Sequence, residues 1–293
     1  MCKFYEDILI NLENGEATCA VLIDLSKAFD SVNRNILLYK LSKYGIRGCT
    51  LKLLQSYLSN RKQFIHTKNI KSNIWPTNIG VPQGSIISPL LFLILINDLQ
   101  NCTNMEVLNF ADDTLIYQKI SKYDHNDTEH IINLELTKVS TWMRSNHLKL
   151  NSSKTNYLIF TPKNNNFATL NKIKLSINNN IIERSKTCKY LGITIDENLT
   201  WKSHIEKLTT KISKSVGILY KIRRYLNKSN LKLLFYSLVF SHLKYGIICY
   251  ARAYKTTLKP LTVLLNRALR CISFVGKFDK KLHSYIMTNK LLI

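Results

Sequence analysis

Val107-Leu108-Asn109-Phe110-Ala111-Asp112-Asp113-Thr114-Leu115-Ile116-Tyr117 reads as two short strands joined by an acidic tip. Apolar, β-prone residues flank the tip, and Asp favours turns by local hydrogen bonding. An Asp-Asp pair alone is usually no more than such a turn. Here Leu108, Phe110, Ala111, Leu115 and Ile116 hem the pair in apolar sequence. Carboxylates in those surroundings need a partner, and a metal ion is a natural one.

Upstream, Cys19 to Ile23 is a continuous apolar run of strand length that ends in Asp24. A third carboxylate brought beside the hairpin tip would make a site for two hard divalent cations. Magnesium takes oxygen ligands and is typically held by one or two carboxylates plus substrate phosphates. Two such ions can stabilise the attacking and leaving oxygens of an in-line phosphoryl displacement. Asp30 competes with Asp24 for this role. Asp24 is preferred because it ends the strand, whereas Asp30 or Ser31 suits the N-cap of the next helix, with Ile36, Leu37 and Leu41 and a stop at Gly45.

Between these segments a helix is expected around Thr50 to Leu58, then a hairpin in which Phe64-Ile65 and Ile74-Trp75 flank a polar turn. Gly80-Val81-Pro82-Gln83-Gly84 is a loop dense in turn formers, followed by an apolar helix from Ser88 to Leu99. The apolar run Ile86–Ile96 contains Pro89 and falls far short of the ~20 residues that span a bilayer, so it reads as a buried helix. A helix over Asp127 to Ser145 precedes short strands near Tyr157–Phe160, Ile173–Ile177 and Cys188–Ile195. The Asn/Lys-rich stretches Lys163–Asn166 and Asn178–Asn180 read as solvated loop. His125 and His130 are out of ligand register on a helix and read as surface residues. From Trp201 onward Ile205, Leu208, Ile212, Val216, Leu219 and Ile222 keep helical spacing, and further helices follow around 230–245 and 258–274. The composition shift near residue 197 sets the expected boundary between domains 1–196 and 197–293.

The 42 Lys and Arg exceed the 19 Asp and Glu, giving a net charge of +23. Such an excess captures polyanions, and nucleic acid is the first candidate partner. A compositional bias toward Lys, Asn and Ile is the bland alternative. The seven cysteines are scattered and form no C-x-x-C pair, which argues against a zinc ribbon or a disulfide framework and fits a reducing compartment. Met1-Cys2-Lys3-Phe4 has no apolar signal-peptide core.

Several motifs in order carry a family resemblance. Ala20-Val21-Leu22-Ile23-Asp24-Leu25-Ser26-Lys27-Ala28-Phe29-Asp30-Ser31-Val32 resembles the first palm motif of reverse transcriptases from non-LTR (LINE-like, jockey-type) retrotransposons. Gly80-Val81-Pro82-Gln83-Gly84-Ser85, with Ser88-Pro89-Leu90-Leu91-Phe92 and Asn97-Asp98-Leu99, resembles their second. Phe110-Ala111-Asp112-Asp113 is similar to their Asp-Asp hairpin, and Leu148-Lys149-Leu150-Asn151 with Lys154-Thr155 to the motif after it. Tyr190-Leu191-Gly192-Ile193-Thr194-Ile195-Asp196 resembles the primer-grip region, and Tyr245-Gly246-Ile247 a recurring element of the tail.

The resemblance implies an α+β right-hand polymerase palm, an antiparallel sheet backed by helices, followed by an all-helical thumb. It implies an RNA-directed DNA polymerase that takes an RNA template, a DNA primer and deoxynucleoside triphosphates. Two Mg2+ ions would sit on Asp24, Asp112 and Asp113, with the carbonyl of Leu25 as a further ligand. Phe29 would be the steric gate under the incoming sugar; core packing is its plainer role. Gln83 and Gly84 would lie near nucleotide and template, although Pro82-Gln83-Gly84 can also be only a turn. Lys154 would donate a proton to departing pyrophosphate; a solvated surface lysine is the alternative. The basic tail residues Lys202, Lys207, Lys211, Lys214, Lys221, Arg223 and Arg224 would cup a primer–template duplex through its backbone, or form a solvated helix face. The life cycle implied is intracellular, nuclear or cytoplasmic, with no membrane anchor and no secretion. About 23 residues precede Asp24, too few for the fingers elements the resemblance implies, so an N-terminally truncated copy is expected. A catalytically silent, nucleic-acid-binding remnant is the rival reading.

Overall fold

The computed structural model describes residues 1–68, 70–121, 127–162, 167, 170 and 172–274. His125 and the stretch Lys163–Asn166 lie outside them. Contacts divide the chain into two units, residues 7–186 and residues 187 onward together with the first six. The composition shift at 197 follows that division by ten residues, because a hairpin over 187–196 groups with the helices after it.

In chain order the first unit holds most of α1 (Cys2–Glu13), then β1 (Ala17–Ile23), α2 (Arg34–Lys43) and α3 (Gly48–Leu58). Four short strands follow, β2 (Lys62–Gln63), β3 (His66–Thr67), β4 (Ile70–Lys71) and β5 (Trp75–Pro76). Next come α4 (Ser88–Ile96), β6 (Glu106–Phe110), β7 (Asp113–Ile120), α5 (Thr128–Ser145) and β8 (Asn156–Phe160). The unit ends in β9 (Ser176–Ile177), β10 (Asn180–Ile181) and β11 (Glu183–Arg184). The main sheet has the order β11-β8-β1-β7-β6. Its inner pairs are antiparallel, and only the two-residue edge strand β11 runs parallel to its neighbour.

The side-chain period of two sorts the residues of β1 onto two faces. Cys19, Val21 and Ile23 lie in a core with Ile116 and Ile120 of β7 and Tyr157 and Ile159 of β8. Leu37 and Leu41 of α2, Leu91, Phe92 and Leu95 of α4, and Ile132, Leu136, Val139 and Met143 of α5 close over them. Each such fully buried side chain contributes about 1.5–3 kcal/mol. Leu22 belongs to the opposite face, where it pairs with Leu115 of β7 and Asn156 of β8.

Two sequence expectations are corrected here. Asn33, not Asp30 or Ser31, caps α2, its side chain accepting from the N–H groups of Asn35 and Ile36. The apolar run around α4 is buried on one side only: Leu91, Phe92, Leu95 and Ile96 face the core, while Ile86 is 97% and Leu90 57% exposed.

The second unit opens with the hairpin β12 (Thr187–Tyr190) and β13 (Ile193–Asp196), then α6 (Lys202–Ile222), α7 (Lys228–Phe235), α8 (Ser241–Lys244), α9 (Ile247–Tyr250) and α10 (Lys255–Ser273). The helix expected over 230–245 is broken by a π-helical turn at Tyr236–Phe240. Asp196 takes the N–H groups of Thr200 and Trp201 at 2.9 and 2.8 Å, so the end of the hairpin anchors the start of α6. Ile205, Leu208, Ile212, Val216 and Leu219 form the buried stripe of α6. No described helix is long and apolar enough to cross a membrane.

Candidate active site

Asp24 stands where β1 ends, and the turn at 151–155 grips it. The Asp24 N–H donates to Thr155 Oγ1 at 3.3 Å, and the Asn151 N–H donates to the Asp24 carbonyl at 2.9 Å. The Asn151 side-chain amide donates to Asp24 Oδ2 at 2.9 Å. Thr155 Oγ1 in turn donates to the Asn151 carbonyl at 2.9 Å. Beyond Asp24 the backbone forms a single bridge between Leu25 and Leu150, with the Ser26 N–H on the Lys149 carbonyl. The backbone groups of Asp24 thus point toward the 149–155 segment, and strand alternation turns those of Leu25 the other way.

The Asp-Asp tip lies on the other side of β1. Ile23 pairs with Thr114 in the last pair of this ladder, so the next residues outward along the two chains are Asp24 and Asp113. Asp113 pairs with Phe110 across a turn in which Ala111 takes φ +53°. Asp112 and Asp113 are exposed, and Phe110 beside them is 62% exposed. The expectation of carboxylates enclosed by apolar neighbours is therefore corrected: Leu115 and Ile116 point into the sheet's own packing, not over the tip.

Among the described residues no three His, Cys, Asp or Glu side chains close on one point. The donors at this end of the sheet are nonetheless all hard oxygens: Asp24, Asp113, Asp112 and the outward-turned carbonyl of Leu25. That set fits magnesium, whose shell is normally completed by water and substrate phosphates rather than by a preformed protein cage. Asn151 uses one acceptor position of Asp24 and leaves the carboxylate further lone pairs.

The Pro-Gln-Gly loop is knitted to the segment after Asp24. Gly80 and Val81 donate their N–H groups to the carbonyls of Val32 and Phe29 at 2.7 and 2.9 Å. Gly80 has φ +81°, and a Cβ there would stand 2.9 Å from the Asp30 carbonyl oxygen, so only glycine allows this approach. Arg34 clamps the same loop, donating from Nε to the Gly80 carbonyl at 2.8 Å and from the other nitrogens to the carbonyls of Thr77 and Ile79 at 2.5 and 2.9 Å. Burial and the nearby Arg61 lower its pKa. Gln83 donates to Asp30 Oδ1 at 2.8 Å. Gly84 takes φ +79° with open space around it. The partly buried Phe29 ring leans on Phe92, centroids 5.0 Å apart.

Lys154 is exposed on the turn that grips Asp24. Lys202, Lys207, Lys211, Lys214, Lys221 and Arg224 are exposed in or just after α6, while Arg223 is turned inward with its guanidinium 4.5 Å from the Phe274 ring centroid. Lys207 also donates to Thr194 Oγ1 at 3.2 Å. Sequence reasoning gave no role to Asn151, Thr155 or Arg34. The first two stood in a motif already singled out; nothing marked Arg34 among so many basic residues.

A family model described as "Reverse transcriptase (RNA-dependent DNA polymerase)" matches residues 3–195. The probable RNA-directed DNA polymerase from transposon BS of Drosophila melanogaster is 30% identical over 92% of this chain and 30% of its own length. The RNA-directed DNA polymerase from mobile element jockey of the same organism is 27% identical over 89% of this chain and 29% of its own length. The chain thus spans about 30% of the length of these curated relatives. Among solved structures, apo telomerase from Candida tropicalis aligns with a TM-score of 0.47 at 11% identity, covering 99% of this chain and 52% of that one. The family model spans residues 3–195, well over half of the chain, and on that match the chain belongs to the reverse transcriptase (RNA-dependent DNA polymerase) family.

Proposed function

We propose that this chain is the catalytic portion of an RNA-directed DNA polymerase of the non-LTR retrotransposon kind. The sheet unit acts as the palm, the helices from 197 as the thumb, and the partners are an RNA template, a DNA primer and deoxynucleoside triphosphates. An intracellular setting, nuclear or cytoplasmic, goes with this reading. The observation that supports it is the pairing of Ile23 with Thr114, which makes Asp24 and Asp113 the next residues outward on neighbouring strands.

Asp24, Asp112 and Asp113, with the Leu25 carbonyl, would hold two Mg2+ ions. When bound, those ions supply the Lewis acidity that makes the primer 3′-oxygen a nucleophile and stabilises departing pyrophosphate. Asn151 and Thr155 fix Asp24 so that its carboxylate needs no reorientation. The Phe29 ring, backed by Phe92, would stand under the incoming sugar and exclude a 2′-hydroxyl. Gln83, tied to Asp30, and Gly84 would border the nucleotide and template. Lys154 would give a proton to the leaving pyrophosphate, since its exposed ammonium shares a turn with the Asp24 clamp.

The test is primer extension on an oligo(dT)-primed RNA template with magnesium, comparing the chain with its Asp112→Asn variant. Extension abolished in the variant supports the reading. No extension by either, with binding of the hybrid intact, replaces it with a silent nucleic-acid-binding remnant.

A further inference from the structure

A two-stranded ribbon formed by residues 61–68 and 70–77 of the sheet unit has both faces in solvent. Its ladder pairs Lys62 with Pro76 and Gln63 with Trp75, then His66 with Lys71 and Thr67 with Ile70. The Ser72 N–H donates to the Ile65 carbonyl at 2.9 Å, which carries the pairing between the two ladders. Two residues separate the ladders on the outgoing strand and three on the returning strand, so one residue of the returning strand is bulged. Alternation then sorts the side chains. Lys62, Phe64, His66 and Lys71 share one face; Gln63, Ile65, Thr67, Ile70 and Trp75 share the other. The Lys71 ammonium lies 5.9 Å from the Phe64 ring centroid, which confirms the first grouping.

Phe64 is 51% exposed, and Lys62, His66 and Lys71 around it are exposed as well. An aromatic ring held in water is an unspent apolar surface, and cations set about it select an anionic partner with a flat apolar part. The chain on either side of the ribbon adds no opposing charge: no Asp or Glu occurs between Asp30 and Asp98. Resting on the polymerase reading, we propose that the Lys62–Phe64–His66–Lys71 face binds an unpaired nucleic-acid strand, the single-stranded template ahead of the primer. Phe64 stacks on a base, while Lys62 and Lys71 pair with successive phosphates. A duplex cannot use the ring, because its bases are already stacked on one another, whereas a single strand offers free π-faces. Self-association of two such ribbons through Ile65, Ile70 and Trp75 is the rival occupant. It would bring Arg61, Lys62, Lys68 and Lys71 of both copies together without a compensating acid.

The experiment measures binding of the full chain to an RNA–DNA hybrid with a long unpaired RNA overhang and to the same hybrid flush-ended. Wild type should prefer the overhang. Phe64→Ala should weaken overhang binding about fivefold or more and leave flush-ended binding unchanged. Lys62→Gln with Lys71→Gln should flatten the salt dependence of overhang binding by about 1.4 in log–log slope, two phosphates at about 0.7 each. Equal affinity of wild type for the two hybrids overturns the proposal, as does an unchanged overhang affinity in the Phe64 variant. A dimer seen by sedimentation that Trp75→Ser or Ile70→Ser dissociates, with overhang binding intact in every ribbon variant, assigns the ribbon to self-association instead. Primer extension measured in parallel separates the two ideas: overhang preference without extension keeps the ribbon and sinks the polymerase, and the converse sinks only the ribbon.

Discussion

The side-chain amide of Asn151 donates to Asp24 Oδ2 at 2.9 Å while its own backbone N–H donates to the Asp24 carbonyl at 2.9 Å, so one residue holds both the backbone and the carboxylate of Asp24. Removing the side chain with Asn151→Ala leaves the backbone grip and frees the carboxylate to rotate. Groups that orient a metal ligand typically matter by about 10–100-fold in metal affinity or activity. The variant should therefore need more magnesium for half-maximal primer extension, by about tenfold or more, with little change in thermal stability. An unchanged magnesium titration would show that Asp24 does not need this clamp.

Phe29 rests on Phe92 at 5.0 Å and is only partly buried, so its ring has one packed side and one side free to meet a ligand. Phe29→Val shortens the side chain without removing the contact altogether. Incorporation of ribonucleotides relative to deoxynucleotides should rise by about tenfold, the scale on which a pocket discriminates by shape. The stability cost should stay near 1–2 kcal/mol because the ring is not fully enclosed. Unaltered sugar discrimination with the expected loss of stability would return Phe29 to a packing role alone.

The elements that could be read ahead of the structure are those whose signal is local. The run Cys19–Ile23 is apolar throughout because β1 is the middle strand of the sheet, and the period of α6 shows because one face of it is buried. Asp112-Asp113 declares a turn by composition. What escaped depends on residues far apart in the chain. Three residues able to cap α2 stand close together, and the choice falls on Asn33 because the backbone at 29–32 is engaged by Gly80 and Val81. The two-residue strand β11 is too short to show any period. Asn151 stands in a motif visible in the sequence, but its bond to Asp24 spans 127 residues, so its role shows only once the fold brings the two together. The hairpin over 187–196 alternates like any sheet strand; its allegiance to the helices lies in contacts such as Asp196 with the start of α6.

Glu135 on α5 is a buried carboxylate that ties down the loop before β6. It accepts from Thr103 Oγ1 at 2.7 Å, from the Asn104 N–H at 2.8 Å and from Lys138 Nζ at 2.7 Å. Burial works to raise its pKa, but the bonds from Lys138, Thr103 and Asn104 together outweigh it, so the carboxyl lies below its ordinary value. The unfolded chain then binds the proton more readily than the folded one. This contribution is complete above the unfolded pKa and is lost as pH falls through the folded one. Glu135→Gln should lower the Tm at neutral pH, by an amount corresponding to about 1–2 kcal/mol. It should also show a smaller drop in Tm than wild type between about pH 5 and pH 3. Parallel acid profiles for the two proteins would show that Glu135 titrates alike in both states.

Gly246 breaks the helical run between α8 and α9 with φ +68°, and a Cβ built there would lie 2.3 Å from Cδ1 and 3.1 Å from Cγ1 of Ile193. Its neighbour Tyr245 donates to the Leu191 carbonyl at 2.6 Å, so this bend is held against the turn of the β12–β13 hairpin. Ile193 is 2% exposed and has little room to yield. Gly246→Ala should therefore cost about 2–3 kcal/mol, combining the left-handed backbone with overpacking. Ile193→Val removes the Cδ1 atom that the new methyl would strike. If the clash is real, the double variant should recover about 1 kcal/mol or more of what the two single variants lose together, measured by urea unfolding. Simple additivity would mean that the backbone conformation alone requires the glycine.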